Sequence, residues 1–489
     1  MAEKSSDILE QAGDYNLNVC NIVSYIKGES NEPTTLDIRS IIQSIEVTED
    51  ILNHCIMGRI TVIDGQDFRS VLPITGLEKL ELSFNTPGMQ GINAVRGEGF
   101  PFHIYKIDAM APMEPRVQVY NIYFTSREMF YNNMKRVSQA YAGPIEEGVN
   151  NILRNRDYLN SSKKLYYEPT KSNEKHVIPN LRPFNAIRHL GSQAQSLNYD
   201  NAGYLFYENS NGFHFRSIES LLALSGSARP TLFRYNYQPQ NIRDDLGNKN
   251  VVEDLKTVLR YEFDRPVNSL AMLSEGMYGN KLITHDNFNK TFKEYNFNYH
   301  KEFGKSFHTE HIDGAKSSFK FTLPWHYFED TETLMSDFSN AKLMLYPQDS
   351  KVHNDYELPP LENILQKKLS QRLSLQNINL TLNVYGNTLL RCGDMISFNL
   401  PLYRPVGEQD KQQANPHFAG RYMIMAVKHI ISPPDNRHEM VLKCMKDAVR
   451  TEYPIERDTN TLEYPEFIQK TQSLIDAEGA FIETDYVDY

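Results

Sequence analysis

The stretch INLTLNVYGNTLLRCGDMISFNLP, residues 378–401, alternates apolar and polar side chains on both sides of a Gly-Asp turn. Every second residue is apolar from Leu380 to Val384 and again from Ile396 to Leu400. A period of two is typical of a strand that buries one face. The stretch therefore predicts a pair of strands, and it carries neither a nucleophile beside a base nor a metal-ligand spacing.

Both flanks of this stretch fit a β-rich block. Before it, LENILQKKLSQRLSLQ repeats leucine every four residues from Leu361 to Leu373, which predicts a helix with one apolar stripe. After it, GRYMIMAVKHII and RHEMVLKCM flank a loop from Pro433 to Asn436, which predicts a hairpin. Further upstream, TVLRYEFDR and FKEYNFNYH are also strand-like.

A second strand-rich block lies near the N-terminus. Its strand-like segments are VCNIVSYI, IIQSIEVTEDIL, CIMGRITVIDG, LEKLELSF, FHIYKIDAM and VQVYNIYFTS. Short strands separated by Gly and Pro turns predict a small closed barrel or sandwich.

The segment between the two blocks mixes helices and strands. EMFYNNMKRVSQAYAGPIEEGVNNILRN predicts a helix, a Gly-Pro break and a second helix. In IPNLRPFNAIRHLGSQAQS, Pro183 predicts the first turn of another helix. GYLFYENSNGFHFRSIESLL predicts an aromatic hairpin that turns at Asn211-Gly212.

These patterns predict a mainly β, α+β chain of several domains. The expected divisions are a flexible N-terminus at 1–15, a first β-barrel domain at 16–130, a mixed helix and hairpin domain at 131–228, a second β-barrel domain at 229–300 and 361–450, an insertion at 301–360 and an acidic tail at 451–489.

The charge balance argues against a nucleic-acid-binding class. The chain has 51 Lys and Arg against 62 Asp and Glu, a net charge of −11. The segment from Pro454 onward contributes −7 of this, so the rest is nearly balanced and lacks a basic footprint. Two interpretations of the tail stay open: a tether that orders on a partner, and a solubilising end.

Cysteine usage and hydropathy indicate a cytoplasmic product. The cysteines are widely spaced and form no C-x-x-C pair, which predicts reduced thiols at Cys20, Cys55, Cys392 and Cys444. Neither an apolar leader nor a run of about 18 apolar residues is present, so we expect no signal peptide and no membrane span.

Motifs that would announce catalysis or nucleotide binding are absent: there is no P-loop, H-E-x-x-H, G-x-S-x-G or G-x-G-x-x-G after a strand. The nearest approach to a ligand cluster is HTEHID, with His308, Glu310, His311 and Asp313. We interpret it as a polar loop rather than a metal site. The sequence thus predicts no catalytic, cofactor-binding or metal residues.

Three weaker candidates also have ordinary explanations. His189 is interpreted as a surface or packed residue rather than a base. Glu146 and Glu147 are neighbours on a helix, point apart and are interpreted as solvated. The aromatic residues of YLFYENSNGFHF could stack on bases or sugars, but cross-strand aromatic pairs usually stabilise a sheet, so we assign them to the core.

The order of elements around the opening stretch resembles a known family. A helix, the strands around GNTLLRCGDMISFNLP and the hairpin GRYMIMAVKHII…HEMVLKC occur in that order in baseplate hub proteins of contractile-tailed, T-even-type bacteriophages. The segment VIPNLRPFNAIRHLGSQAQS…GYLFYENSNGFHFRSIESL is similar to the mixed module of that family. The hub portion of type VI secretion spike proteins belongs to the same superfamily.

This resemblance implies a non-enzymatic, structural role. Two barrels per chain in a homotrimer would give a trimeric ring with pseudo-sixfold symmetry around a channel. Such a ring would join a hexameric tail tube to a trimeric central spike, in the baseplate of a virion assembled in the host cytoplasm. Baseplate wedge and tape measure proteins are further candidate partners, and DNA would pass with weak, sequence-independent binding.

Two other functions stay open at this point. One is a carbohydrate hydrolase on a β-rich scaffold, which needs two carboxyl groups about 5 to 10 Å apart in a cleft. The other is a type VI secretion spike hub. Those chains usually continue into a long needle of repeats, whereas this sequence ends in an acidic tail, which favours the phage interpretation.

Overall fold

The first block forms a run of strands, as its alternation predicts. In the computed structural model the described residues are 8–27, 33–66, 74–114, 117–171, 174–199, 202–223, 231–237, 251–265, 268–286, 289–310, 320–321, 334–348, 361–401, 414–415 and 417–449. The strands of this block, with a short 3-10 turn at Arg39–Ile41, are β1 (Asn16–Lys27), β2 (Pro33–Asp37), β3 (Ile42–Asp50), β4 (Met57–Asp64), β5 (Lys79–Asn85), β6 (Ile92–Ala94), β7 (Phe102–Glu114) and β8 (Val117–Thr125). All six strand-like segments named from the sequence are confirmed.

The middle of the chain alternates helices and strands. Its elements are α1 (Arg127–Met134), β9 (Val137–Gly143), α2 (Ile145–Arg154), β10 (Leu165–Tyr167), β11 (Glu174–Leu181), α3 (Pro183–Gln193), β12 (Tyr204–Asn209), β13 (Gly212–Ser217) and α4 (Ile218–Leu222). Pro183 begins α3, as predicted. The prediction that helix continues through VSQAYAG is wrong, because this segment pairs antiparallel with β11 as strand β9.

The aromatic hairpin is confirmed as β12 and β13, with its turn shifted by one residue. Asn209 pairs with Gly212, so the loop consists of Ser210 and Asn211. Gly212, at φ 140°, supplies a left-handed conformation that suits glycine, and a Cβ there would meet the Lys164 carbonyl oxygen at 2.5 Å.

The rest of the chain contains the second block and a smaller module. Its elements, with 3-10 turns at Met335–Asp337 and Ser339–Ala341, are β14 (Thr231–Asn236), α5 (Val251–Leu255), β15 (Val258–Arg265), α6 (Ser269–Glu275), β16 (Gly279–Asp286), β17 (Thr291–Asn298), α7 (Tyr299–Phe303), β18 (Lys320–Phe321), β19 (Leu343–Gln348), a π-helical turn (Glu362–Lys367) that runs into α8 (Lys368–Leu375), β20 (Ile378–Tyr385), β21 (Met395–Asn399), β22 (Gly420–Ser432), β23 (Arg437–Lys446) and β24 (Ala448–Val449).

The two strands of the opening stretch, β20 and β21, form as predicted but do not pair with each other. β23 and β22 lie between them, in the order β20-β23-β22-β21. The predicted hairpin of β22 and β23 is confirmed, and it supplies the two inner strands of this group. The sequence pattern identified the strands correctly but gave the wrong neighbours.

One large sheet connects both β-rich blocks. Its main order is β15-β20-β23-β22-β3-β4-β8-β7-β5-β1-β2, with β6, β14 and β21 attached at the sides. The sequence predicts two separate small barrels. Among the described residues the pairing instead runs as an open path, because β3 of the first block pairs with β22 of the second over six residue pairs.

Each half of the large sheet covers its own hydrophobic core. Ile60, Leu82, Phe84 and other first-block side chains form one core, and Leu380, Phe398, Leu442 and their neighbours form the second. At the β3–β22 junction, Val47 and His429 are register partners and both are buried. The two cores therefore lie on the same side of the continuous sheet.

Strands β16 and β17 do not join the large sheet, although the sequence assigns them to the second β block. They form a separate small sheet in the order β17-β16-β19. Its third strand, β19, comes from the predicted insertion at 301–360 and runs parallel to β16. One face of the small sheet packs on a core that includes Tyr278, Phe297 and Ala448. Most of 301–360, residues 1–7 and the tail at 451–489 lie outside the described residues.

Candidate functional site

The most extended polar feature is the side of the large sheet opposite the two cores, which we call the polar face. It runs from β15 to β7, and one row of side chains crosses it through register partners: Glu439, Ile430, Glu46, Arg59, Tyr123 and Lys106. Neighbouring strands lie about 4.8 Å apart, so this row alone spans about 24 Å. The row crosses the junction between the two β-rich blocks without interruption.

Charges on the polar face neutralise one another. Glu46 lies 2.6 Å from Arg59 Nη2 and 2.9 Å from Lys428 Nζ, so it links β4 of the first block to β22 of the second. Partial burial acts to raise the pKa of Glu46, but these two cations lower it overall. Arg437 and Glu439 form a similar pair at 2.7 Å.

The described charges of the polar face balance in number. Six bases face six acids on strands β15, β20, β23, β22, β3, β4, β8 and β7: Arg59, Lys106, Arg260, Lys428, Arg437 and Lys443 against Glu46, Asp50, Asp108, Glu262, Asp264 and Glu439. The uncharged positions between them are largely hydroxyl and amide side chains, and Thr61 donates to Asn121 at 2.9 Å. The result is a broad surface of polar side chains whose described charges cancel.

The core side of the β3–β22 junction holds a buried carboxylate, Glu49. Its side chain accepts hydrogen bonds from the backbone N–H groups of Ser210 (2.8 Å) and Cys392 (3.4 Å). Burial raises the pKa of Glu49 to about 7, despite these donors and nearby Arg391. Glu49 therefore joins the first block, the aromatic hairpin and the second block at one point.

Two buried histidines lie on the same side of the junction. His429 Nδ1 is 3.1 Å from His438 Nε2, and both rings contact Phe84 edge-on. Burial lowers the pKa of His429 to about 4, and burial with His429 lowers the pKa of His438 further. Nearby, the Thr86 hydroxyl donates to the Gly386 carbonyl, which also connects the two blocks.

A buried ion cluster fastens the mixed module to the first block. Lys163 Nζ lies 3.0 Å from Glu128 and 2.5 Å from Glu208. Glu208 also accepts the backbone N–H of Ile56, and Glu128 accepts the Ser161 hydroxyl. Burial disfavours the ammonium, but the two carboxylates outweigh it and raise the pKa of Lys163. Both carboxylates are about 2% exposed, so this pair is enclosed and does not line a cleft.

The HTEHID segment contributes to a second buried cluster. His308 lies 2.8 Å from Asp447. The Glu310 carboxylate lies 2.7 Å from Lys446 Nζ and accepts the backbone N–H of Arg421 at 2.7 Å. Burial opposes the imidazolium, but Asp447 outweighs it and raises the pKa of His308. These contacts hold residues 308–310, near the start of the predicted insertion, against the end of β23. His311 and Asp313 lie outside the described residues, and the described part of the chain contains no cluster of three metal-ligating side chains.

The weaker candidates also have structural surroundings. His189 is half-buried on α3. On α2, Glu147 is exposed, whereas Glu146 is half-buried and accepts hydrogen bonds from the Thr170 N–H and hydroxyl, so only Glu147 is solvated as predicted. Phe206 and Phe213 stack with centroids 5.3 Å apart within the core, which confirms the core assignment of the aromatic hairpin.

Sequence reasoning missed Glu49 and Lys446, although strand alternation marks both. Glu49 follows Ile45 and Val47 at every second position, and all three are buried. Lys446 follows Leu442 and Cys444 in the same way. A charged residue in phase with the apolar positions of a strand is the signal that could have found them. The described helices contain none long and apolar enough to cross a membrane.

Neither a protein-family model nor a curated protein matches the chain. Solved structures do resemble it. A tail protein from Neisseria meningitidis matches with a TM-score of 0.48 and 8% identity, covering 89% of this chain and 97% of that one. The 43 kDa tail protein of a Shewanella oneidensis prophage matches with a TM-score of 0.49 and 8% identity, covering 88% and 99%.

An E. coli component of the type VI secretion system matches with a TM-score of 0.37 and 9% identity, covering 90% of this chain and 79% of that one. That component is itself described as similar to two tail proteins of bacteriophage T4. In each of these three matches, two to tail proteins and one to a type VI secretion component, about nine tenths of this chain is covered.

Proposed function

We propose that the chain is a structural hub subunit of a contractile phage tail and that three copies form a ring around a channel. The polar face carries this proposal. It is continuous across both blocks, it is balanced in charge, and it lies opposite the cores that stabilise the sheet. A surface of this kind suits the wall of a passage better than it suits a binding cleft.

The two halves of the large sheet provide the symmetry that such a ring requires. Each half has its own core, so three chains would present six similar units, which could match a hexameric tail tube. The threefold arrangement of whole chains would match a trimeric spike. Ring contacts of this kind are heterologous, because each subunit presents two different surfaces to its neighbours. The ends of the sheet, β15 and β2, are the candidate surfaces, since each pairs on one side only among the described strands.

Transit of DNA explains the charge balance. A basic wall would bind phosphates and release counterions, and it would retain the DNA in a salt-dependent way. Six bases paired among six acids offer little net attraction to a passing duplex. Passing DNA would then be bound weakly and without sequence specificity.

The remaining assignments follow from this role. The domain boundaries deduced from the sequence are proposed with two changes. Strands β16, β17 and β19 form the separate small sheet, and the two β-rich domains are halves of one open sheet rather than closed barrels. The chain would act without enzymatic activity in the tail baseplate of the virion, between tube and spike. Wedge and tape measure proteins are the further proposed neighbours.

The first experiment is the native mass of the purified full chain by light scattering over a range of concentrations, with negative-stain images of the same samples. We expect a species of three times the monomer mass, with a central hole, at the higher concentrations. A chain that stays monomeric throughout and also hydrolyses a bacterial polysaccharide would overturn the proposal in favour of the hydrolase.

A further inference from the structure

One face of the small sheet is exposed and mixed in character: five apolar side chains share it with Lys281, His285, Glu294 and Asn296. Ile283, Leu343 and Leu345 share this face with Phe292 and Pro347, because Ile283 pairs with Leu345, and His285 pairs with both Phe292 and Pro347. Leu345 is 70% exposed, and Leu343 and Phe292 are 59% and 58% exposed. The opposite face, with Leu282 and Phe297, is buried. We call the exposed side the uncovered face.

The edge of the small sheet at β19 is also available. Within the described part of the chain, β19 pairs only with β16, so the outer backbone groups of residues 343–348 have no strand partner there. Open edges with apolar side chains recruit further strands unless they are blunted. An added strand would extend the uncovered face and shield its leucines.

The described chain ends beside this module. Ala448 belongs to the same buried core as Phe297 of β17, one residue before the last described position, Val449. The remaining 40 residues of the sequence start from that point. About 30 residues, 450–479, separate that point from the segment 480–487.

The tail has a segment with the right chemistry. Residues 480–487, AFIETDYV, contain Phe481, Ile482, Tyr486 and Val487, and they lack the proline that interrupts the earlier apolar segment at Pro465.

Charge favours the same pairing. The strands and turn of the small sheet, with the residue before β19, carry Lys281, Lys290, Lys293 and Lys342 against Asp286 and Glu294. The tail from residue 454 onward carries nine acids and two bases. Attraction between an acidic strand and a basic rim would therefore add to the burial of apolar area.

We propose that residues 480–487 of the same chain add as a strand along the outer edge of β19 and cover the uncovered face. The tail would then shield the small sheet of its own chain. This proposal is independent of the proposed ring and channel. A partner that displaced this strand would gain access to the apolar surface.

Hydrogen exchange of the full chain, followed by mass spectrometry, tests this proposal. In the wild-type protein we expect backbone amides of 481–487 and of β19 to exchange at least about tenfold more slowly than in L345E, which places a like charge beside the acidic strand. The matched control is V177E, because Val177 is a 67% exposed apolar residue on β11. V177E should exchange like wild type at these positions.

A second variant guards against disruption of the small sheet itself. I482D/Y486D alters only the tail and should release the same amides while β16 and β17 stay protected. Exchange of 481–487 at the unprotected rate in the wild-type chain would overturn the proposal. Protection of β19 that grows with protein concentration would also overturn it, since the cover would then be a second copy of the chain.

Discussion

The two sides of the β3–β22 junction treat charge in opposite ways. On the polar face, Glu46 has two cationic partners within 3 Å, and all three side chains remain partly exposed. On the core side, Glu49 and His429 are buried, and neither is paired with a cation at salt-bridge distance: Glu49 accepts backbone N–H groups and His429 contacts His438. Exposed pairs contribute little and can be exchanged, whereas buried polar groups tolerate few substitutions. The contacts that hold the modules together therefore lie mainly on the core side of the sheet. The polar face remains available for a surface role.

The largest effect that would sharpen this contrast is expected at Lys163, in the enclosed cluster that ties the mixed module to the first block. K163M leaves Glu128 and Glu208 buried without their cation, which should cost about 3–5 kcal/mol of unfolding free energy. Urea denaturation measures it. The triple variant E128Q/K163M/E208Q should recover part of the loss, because it removes the buried charges. If K163M lowered the free energy of unfolding by less than about 1 kcal/mol, the buried charges would contribute no more to stability than the exposed ones.

The next effect concerns pH. The pKa of His429 is about 4 in the folded chain and about 6.5 when unfolded, so the stabilisation from keeping His429 neutral is complete above pH 6.5 and is lost as the pH falls toward 4. Each pH unit in that window should cost up to about 1.4 kcal/mol. H429Q should flatten this dependence in denaturation curves measured from pH 4 to 7. Parallel curves for wild type and H429Q would show that His429 does not titrate in this window.

Glu49 should show a pH dependence of the opposite sign and of similar size. Its pKa is raised to about 7, so wild-type stability declines as the pH rises from about 4.5 to 7 and then levels. E49Q keeps an acceptor for the Ser210 N–H and should gain on wild type across this window. E49A leaves the N–H donors without an acceptor and should be about 1–3 kcal/mol less stable than E49Q at every pH. Equal stability of E49A and E49Q would contradict the role of this side chain as an acceptor.

The smallest effect is expected on the polar face. E46Q removes the charge shared by Arg59 and Lys428, and it should change the free energy of unfolding by about 0–1 kcal/mol, less at high salt. Its matched comparison is E49A, because Glu49 lies three residues further along β3 and on the opposite side of the strand. If E46Q destabilised the chain as much as E49A, the polar face would also contribute to holding the two β-rich blocks together.

The strands of the fold were predictable, whereas their arrangement was not. Alternation identified β3, β20, β22 and β23, because burial of one face imposes a period of two on the sequence. Alternation does not indicate which strands are neighbours in a sheet. The prediction that β20 pairs with β21 is wrong for this reason. The junction of β3 with β22 was also missed, since no local signal connects the two segments.

The candidate site was predictable to a similar degree. The polar positions of each strand can be read from the sequence, but a continuous face emerges only after the strands are placed in order. The enclosed clusters around Lys163 and Lys446 depend on contacts between distant segments. Alternation marks Lys446 as a buried position, but no spacing rule identifies the partners in either cluster. The small sheet was hidden for the same reason, since β19 lies 57 residues or more beyond β16 in the chain.

The β3–β22 junction also has a consequence for how the chain is made. Its paired residues are 376 to 386 positions apart, from Asp50 with Ala426 to Ile45 with Ile431. During synthesis from the N-terminus, β3 is made early. Its partner strand β22 is made only after most of the chain between them. Such non-local pairing is slow, and a waiting edge strand is exposed to wrong partners. Completion of the continuous polar face is therefore one of the last folding events, so a nascent or truncated chain cannot present it.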